Sequence, residues 1–279
     1  MSGGAWVGID DPRGRIDYDE TGSGPTMVLV PGSCSTGAAW RPLISQWNGS
    51  FRCVTTSLLG YGGTAERRSA NDTEIGLEAE IIEAVIRRTG SGPVHLVGHS
   101  FGGLVALVVA LRHPHLLRSL TILEAPAPEI LRHAGEEAHY ATFRNMTAAY
   151  FAAFESGKTD AIERMIDFYG GEGTFAGWPQ RVRDYAVATT AVNLLDWQSA
   201  YGFALKPSLL GTIDLPTLVV SGAISQPAVR RANELLARFI PGAVFKAVPG
   251  AAHFMIATHI GETADLMARH LAGREVSHS

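Results

Sequence analysis

Residues 94–103 read V-H-L-V-G-H-S-F-G-G. A β-forming run, 94–97, passes into Gly98-His99-Ser100-Phe101-Gly102, and a strongly apolar helical segment, 102–113, opens at once. Where a strand turns into a helix this tightly, the two backbones pass close together. The positions two before and two after the centre of the turn must then lack side chains, and both are glycine here. Ser100 at the centre is expected to sit in a strained conformation with its hydroxyl projecting from the end of the sheet. The helix N-terminus beside it adds partial positive charge and unpaired N–H groups, which favour an oxyanion. G-x-S-x-G alone is a modest signal in a chain with 31 glycines. Its place between strand and helix selects Ser100 as a nucleophile over a structural Gly-Ser turn.

Strands and helices alternate outward from this turn. Residues 15–19 and 26–30 read as strands around T-G-S-G-P, 35–47 as a helix, 51–58 as a strand and 58–64 as a Gly-rich loop. An amphipathic helix with Ile75, Ala79, Ile82 and Ile86 on one face is expected from an N-cap at Asp72 to Arg88. Pro114 stops the helix 102–113, and L-R-S-L-T-I-L-E, 117–124, reads as the next strand. Residues 129–211 show helical periodicity and many aromatics but no convincing strand. Strand signal returns at 216–220, followed by helix 227–239, strand 243–248 and a last amphipathic helix, 261–271; the tail 273–279 is expected to fray. The pattern predicts an α/β fold: a mostly parallel central sheet flanked by helices. Its core domain would comprise 1–128 and 212–279. Residues 129–211 would form an inserted helical cap over the sheet edge where such folds bind ligands.

At 279 residues, 46% hydrophobic and 18% charged, the chain can fill a sizeable core. A net charge of −4 without runs of like charge gives no sign of nucleic acid or an anionic membrane as partner. The N-terminal residues lack a signal-peptide pattern, and the apolar run 104–111 is too short to cross a bilayer. Cys34 and Cys53 make neither a disulfide framework nor a metal spacing, so a cytoplasmic protein with reduced thiols is expected. The absence of a zinc-type cluster, P-loop or dinucleotide fingerprint predicts no metal and no cofactor.

Four segments, L-V-P-G-S-C-S-T-G-A-A-W (29–40), S-L-L-G-Y-G-G-T (57–64), G-H-S-F-G-G (98–103) and V-P-G-A-A-H-F (248–254), stand in the order found in the α/β-hydrolase fold family. The chain resembles that family over nearly all its length. It departs at Pro31-Gly32, where the family usually has His-Gly. The resemblance implies an oxyanion hole made by the backbone N–H groups of Phe101 and Ser33, with Cys34 the neighbouring alternative. It also implies a general base after the nucleophile in chain order. Among ten histidines, His253 fits, in a Gly/Ala-rich loop between the last strand and the last helix. His99 adjoins the nucleophile, His95 lies in a strand, and His259 and His270 flank or end the last helix.

A histidine that takes a proton from serine needs a carboxylate on its other nitrogen. The family's usual station for it is occupied here by Ser225, within A-I-S-Q, 223–226, which holds no acid. A second station known in the family, at the end of the strand after the nucleophile helix, carries Glu124. A carboxylate closing an apolar strand is costly unless paired. This looks like the arrangement of α/β-hydrolase lactonases and some dehalogenases. A salt bridge to arginine or a helix cap is the competing role for Glu124. Asp214, which precedes its strand, is the competing acid.

Serine rather than aspartate at the turn argues against haloalkane dehalogenase or epoxide hydrolase chemistry. The resemblance implies a cofactor-independent serine hydrolase cleaving an ester, lactone or thioester of a medium-sized hydrophobic molecule through an acyl-enzyme. Cys34, His99, Trp178, Trp197 and Phe254 are expected to wall the pocket. Two alternatives stay open: C–C hydrolysis, lyase or cofactor-free dioxygenase chemistry with the His–Glu pair as base, and non-catalytic ligand binding.

Overall fold

The computed structural model describes residues 7–273, so the expected fraying of 273–279 lies, from 274 onward, outside the described residues. Eight strands form one sheet: β1 (Val7–Ile9), β2 (Ile16–Thr21), β3 (Thr26–Val30), β4 (Arg52–Thr56), β5 (Val94–His99), β6 (Leu117–Leu123), β7 (Thr217–Gly222) and β8 (Val244–Val248). Their order is β1-β2-β4-β3-β5-β6-β7-β8. The strands from β4 to β8 in that order pair in parallel, and β1 and β2 add an antiparallel edge. The three-residue β1 is too short to show an alternation, and it is absent from the sequence reading.

Before β6 lie α1 (Arg41–Gln46), α2 (Gly76–Thr89) and α3 (Phe101–Arg112). Between β6 and β7 come seven helices: α4 (Pro128–His133), α5 (Glu137–Glu155), α6 (Glu163–Gly170), α7 (Thr174–Gly177), α8 (Gln180–Ala188), α9 (Thr190–Gly202) and α10 (Pro207–Leu210). The chain closes with α11 (Pro227–Phe239), α12 (Met255–Thr258) and α13 (Ile260–Leu271). Among the described residues no helix is long and apolar enough to cross a membrane.

The central strands are apolar along their whole length because both faces of the sheet are covered. In β3, Met27 and Leu29 pack with Trp40, Trp47 and Met267 on one face. Val28 and Val30, one residue out of phase, join Ile82 and Val105 on the other.

Several boundaries differ from the sequence reading, three of them for a visible local reason. The helix expected over 35–47 splits into a 3-10 turn, Gly37–Trp40, and α1. Thr36 Oγ1 caps the turn by accepting from Ala38 N, and Pro42 lies in the first turn of α1. Asp72 does not cap α2. Its backbone exchanges two hydrogen bonds with Ser69, at 3.0 and 3.1 Å, and that tight turn delays the helix to Gly76. The strand expected over 117–124 ends at Leu123, and Glu124 turns away with φ +47°.

The parallel direction carries the C-terminal ends of β3, β5, β6, β7 and β8 to one edge, from which the loops with Ser33, Ser100, Glu124, Ser225 and His253 emerge. Gly98 and Gly102 set the spacing there. A Cβ on Gly98 would stand 2.2 Å from the Gly102 carbonyl oxygen, and one on Gly102 would stand 2.3 Å from that of Pro31. Backbone atoms cannot yield as a side-chain tip can. Gly98→Ala and Gly102→Ala are therefore each expected to destabilise the fold by about 3 kcal/mol or to prevent folding, read as a lowered urea midpoint, the upper end of overpacking costs.

Candidate active site

Ser100 occupies the turn between β5 and α3 with φ 54° and ψ −131°. Among the described residues four non-glycines have positive φ: Cys34, Asn48, Ser100 and Glu124. Three of these four sit in the loops at the C-terminal edge of the sheet, and Asn48 follows α1. Such strain, on the order of 1–3 kcal/mol per residue, persists where surrounding contacts over-determine it and clusters at functional sites.

His253 Nε2 lies 3.0 Å from Ser100 Oγ, and His253 Nδ1 lies 2.9 Å from Glu124 Oε2. The three groups that the sequence reading selected, drawn from loops up to 153 residues apart, thus form one unbroken chain. Burial works to raise the Glu124 pKa, but hydrogen bonding and the charge of His253, followed by Ser221 and Ser225, outweigh it and leave the carboxyl below the usual range. Oε1 accepts from Ser221 Oγ and, at 2.7 Å, from Gly222 N. With Glu124 ionised, His253 Nδ1–H donates to it, and Nε2 is left to accept from the Ser100 hydroxyl. Backbone bonds pin the acid: Glu124 N donates to Val220 O at 3.0 Å. Asn233 of α11 clamps Ala125 through both its N–H (3.0 Å) and its carbonyl oxygen (3.1 Å).

Ser225, at the station without an acid, is buried next to this carboxylate and helps to keep it ionised. Asp214 is exposed on the loop that enters β7, at the opposite edge of the sheet. The competing roles for Glu124 do not appear either: its partners are His253, Ser221 and Gly222.

Phe101 is the first residue of α3, so its N–H has no partner within the helix. The β3 loop presses on the turn, because a Cβ on Gly32 would stand 2.8 Å from Ser100 Cβ. Ser33 is therefore adjacent to the nucleophile in space. Its hydroxyl donates to Asp196 Oδ2 at 2.5 Å.

Cys34, His99, Trp178, Trp197 and Phe254 all line one cavity of about 520 Å³ that also takes in Ser100 and His253. Met165, Ile166 and Tyr169 of α6 complete its apolar wall. The Tyr169 ring lies over His253, with centroids 4.1 Å apart. His99 Nε2 contacts the His253 carbonyl oxygen at 2.9 Å, and since that oxygen can only accept, the proton is on Nε2. Burial and then the neighbouring His253 push the His99 pKa down to about 3, so it is neutral. Burial pushes the Cys34 thiol up to about 12, so it stays protonated. Elsewhere, His95 bonds Ser119 Oγ inside the sheet at 2.7 Å.

Beside the cavity lies a buried ionic cluster that sequence reading missed. Asp196 of α9 accepts from Ser33, from Tyr61 Oη at 2.6 Å and from Arg68 Nη1 at 2.7 Å. Arg68 also pairs with Glu66 at 2.8 Å and with Glu78 at 3.0 Å. The available signal was on α9, whose inward residues include the polar Asn193, Asp196 and Ser199 beside Trp197. Polar side chains on the buried stripe of a helix imply partners.

A family model for the α/β hydrolase fold matches residues 25–260, and the chain belongs to that family. It is 28% identical to 2-(acetamidomethylene)succinate hydrolase of Mesorhizobium japonicum over 261 residues, 88% of each protein. It is 27% identical to epoxide hydrolase 3 of Xenopus tropicalis over 125 residues, 44% of this chain but only 34% of that protein. A thermophilic esterase from Thermogutta terrifontis shares the fold with a TM-score of 0.73 at 22% identity, covering 97% of this chain and 99% of that one.

Three carboxylates share one guanidinium in the buried cluster, and burial raises the Glu78 pKa to about 8. A folded-state pKa above the unfolded value of 4.5 gives stability that is present at low pH and lost as pH rises through the folded value. Between pH 5 and 8 the urea midpoint of the wild type is therefore expected to fall relative to that of Glu78→Gln. Parallel curves would show that Glu78 carries no proton in the fold.

Proposed function

We propose that this protein is a cofactor-independent serine hydrolase, acting on an ester, lactone or thioester of a medium-sized hydrophobic small molecule. The observation that carries the reading is the Ser100–His253–Glu124 hydrogen-bonded chain opening into an apolar cavity. Ser100 Oγ attacks the substrate carbonyl carbon while its proton passes to His253 Nε2, and Glu124 stabilises the resulting imidazolium. The N–H groups of Phe101 and Ser33 hold the oxyanion. Its collapse breaks the bond to the leaving alcohol or thiol, which takes the proton from His253; for a lactone this opens the ring. Water then gives a proton to His253 and attacks the acyl-enzyme. The acid is released as the proton returns to Ser100 Oγ.

A cavity of about 520 Å³ is within the range of small-molecule sites. Helices α6, α8 and α9, with Trp178 and Pro179, supply much of its wall, which supports residues 129–211 as a specificity-setting cap on a core of 1–128 and 212–279. Neutral His99 and the protonated Cys34 thiol are wall groups in this reading and take no part in proton transfer. The full-length match to a hydrolase from Mesorhizobium supports a hydrolytic reaction, whereas serine at the nucleophile position disfavours epoxide opening.

With p-nitrophenyl butyrate, Ser100→Ala and His253→Ala are each expected to lose about 10³-fold or more in kcat. A fluorophosphonate should label wild type but not Ser100→Ala. A mild loss in Ser100→Ala, with His253→Ala inactive, would instead show the histidine acting directly on substrate. Glu124→Gln is expected to lower kcat by about 10³-fold or more, while Asp214→Asn stays near wild type. Near-native turnover by Glu124→Gln would remove it from the mechanism.

A further inference from the structure

We infer that Asp196 is a positioning residue for the oxyanion-binding loop: from α9 it grips the Ser33 hydroxyl and holds the Ser33 N–H beside Ser100. This rests on the serine-hydrolase reading above. It adds that the oxyanion site is complete only with the helices between β6 and β7 in place.

The loop needs such an anchor. It leaves β3 through Pro31 and Gly32 and reverses at Cys34, whose φ of 54° is unfavourable for a side chain with a Cβ. One flank is set by contact with Ser100, where Gly32 leaves no room for a Cβ. The opposite constraint is the Ser33 hydroxyl, directed to Asp196 at 2.5 Å. An N–H aimed at an oxyanion acts over a narrow range, about 2.7–3.1 Å, so a loop free to shift by half an ångström forfeits much of it.

Asp196 is itself rigidly held. Tyr61 and Arg68 donate to it from the segment after β4, and Arg68 is fastened in turn by Glu66 and by the Leu59 carbonyl at 3.3 Å. The side chain is 2% exposed; burial raises its pKa, and Arg68, Ser33 and Tyr61 pull in the opposite direction. Asp196 alone of this cluster comes from the helical segment between β6 and β7, and it also lines the cavity. The anchor therefore links α9, the loop after β4 and the loop after β3 at one carboxylate.

Asparagine at 196 keeps the shape and one acceptor oxygen, enough for Arg68. Its NH₂ can only donate, so the Ser33 and Tyr61 hydroxyls must turn to accept, and the charge-assisted bond from Ser33 gives way to a weaker neutral one. Removing an oxyanion donor costs about 10²–10³-fold, so displacing one is expected to cost about 10- to 100-fold.

The test uses the full chain with p-nitrophenyl butyrate and a fluorophosphonate. Asp196→Asn and Ser33→Ala should each lower kcat about 10- to 100-fold with KM within about threefold of wild type, while Ser100 still becomes labelled. The double variant should be no slower than the worse single one within about twofold, because the two act through one contact. Either single variant within about twofold of the wild-type kcat, or losses that multiply in the double variant, would overturn the inference. If Asp196→Asn does not fold, Ser33→Ala decides alone, since it removes a hydroxyl and leaves every N–H in place. Wild type that is neither labelled nor active would instead overturn the serine-hydrolase reading, and this inference with it.

Discussion

Gly102 lies so close to the Val30 and Pro31 carbonyl oxygens that no Cβ fits between them, and the rest of the site depends on this backbone contact. It draws the start of α3 against the end of β3. Ser100 is thereby held in a strained turn, and the loop carrying Ser33 is brought alongside it. With any larger residue at 102, strand and helix would separate, and the nucleophile and the β3 loop would part together.

Burial has opposite consequences for two glutamates. Glu124 is fully buried, yet His253, Ser221 and Gly222 N surround it, and its pKa falls. Glu78 is equally buried, shares Arg68 with two other carboxylates, and its pKa rises to about 8. The difference lies in partners per carboxylate, not depth. One carboxylate is surrounded by donors; the other has the Leu59 N–H and a shared Arg68, and the nearby acids Asp196 and Glu66 add to the effect of burial.

Much of this was legible in the chain. A strand buried on both faces must be apolar throughout, so β3, β5 and β7 announced themselves, and glycines two residues either side of Ser100 marked the turn. The bare station at Ser225 pointed to Glu124 as the charge that had to exist elsewhere. The structure places Ser225 beside that same carboxylate, so the two stations share one site. Less legible was the start of α2. Asp72 has the right chemistry for a cap, but its backbone is engaged with Ser69, a choice set by a local turn that residue type does not reveal.

What the sequence by itself determined was periodicity and local backbone geometry: which segments are buried on both faces and where the chain must turn tightly. These follow from steric and hydrophobic rules acting over a few residues. His253 and Glu124 were singled out only through the resemblance to a family. Only the tertiary structure decided which charges meet. Arg68 and Asp196 are 128 positions apart, and Ser33 and Asp196 are 163 apart. Their pairing depends on where α9 docks. Burial then makes each lone charge intolerable and each specific partner necessary, and no local pattern encodes that requirement.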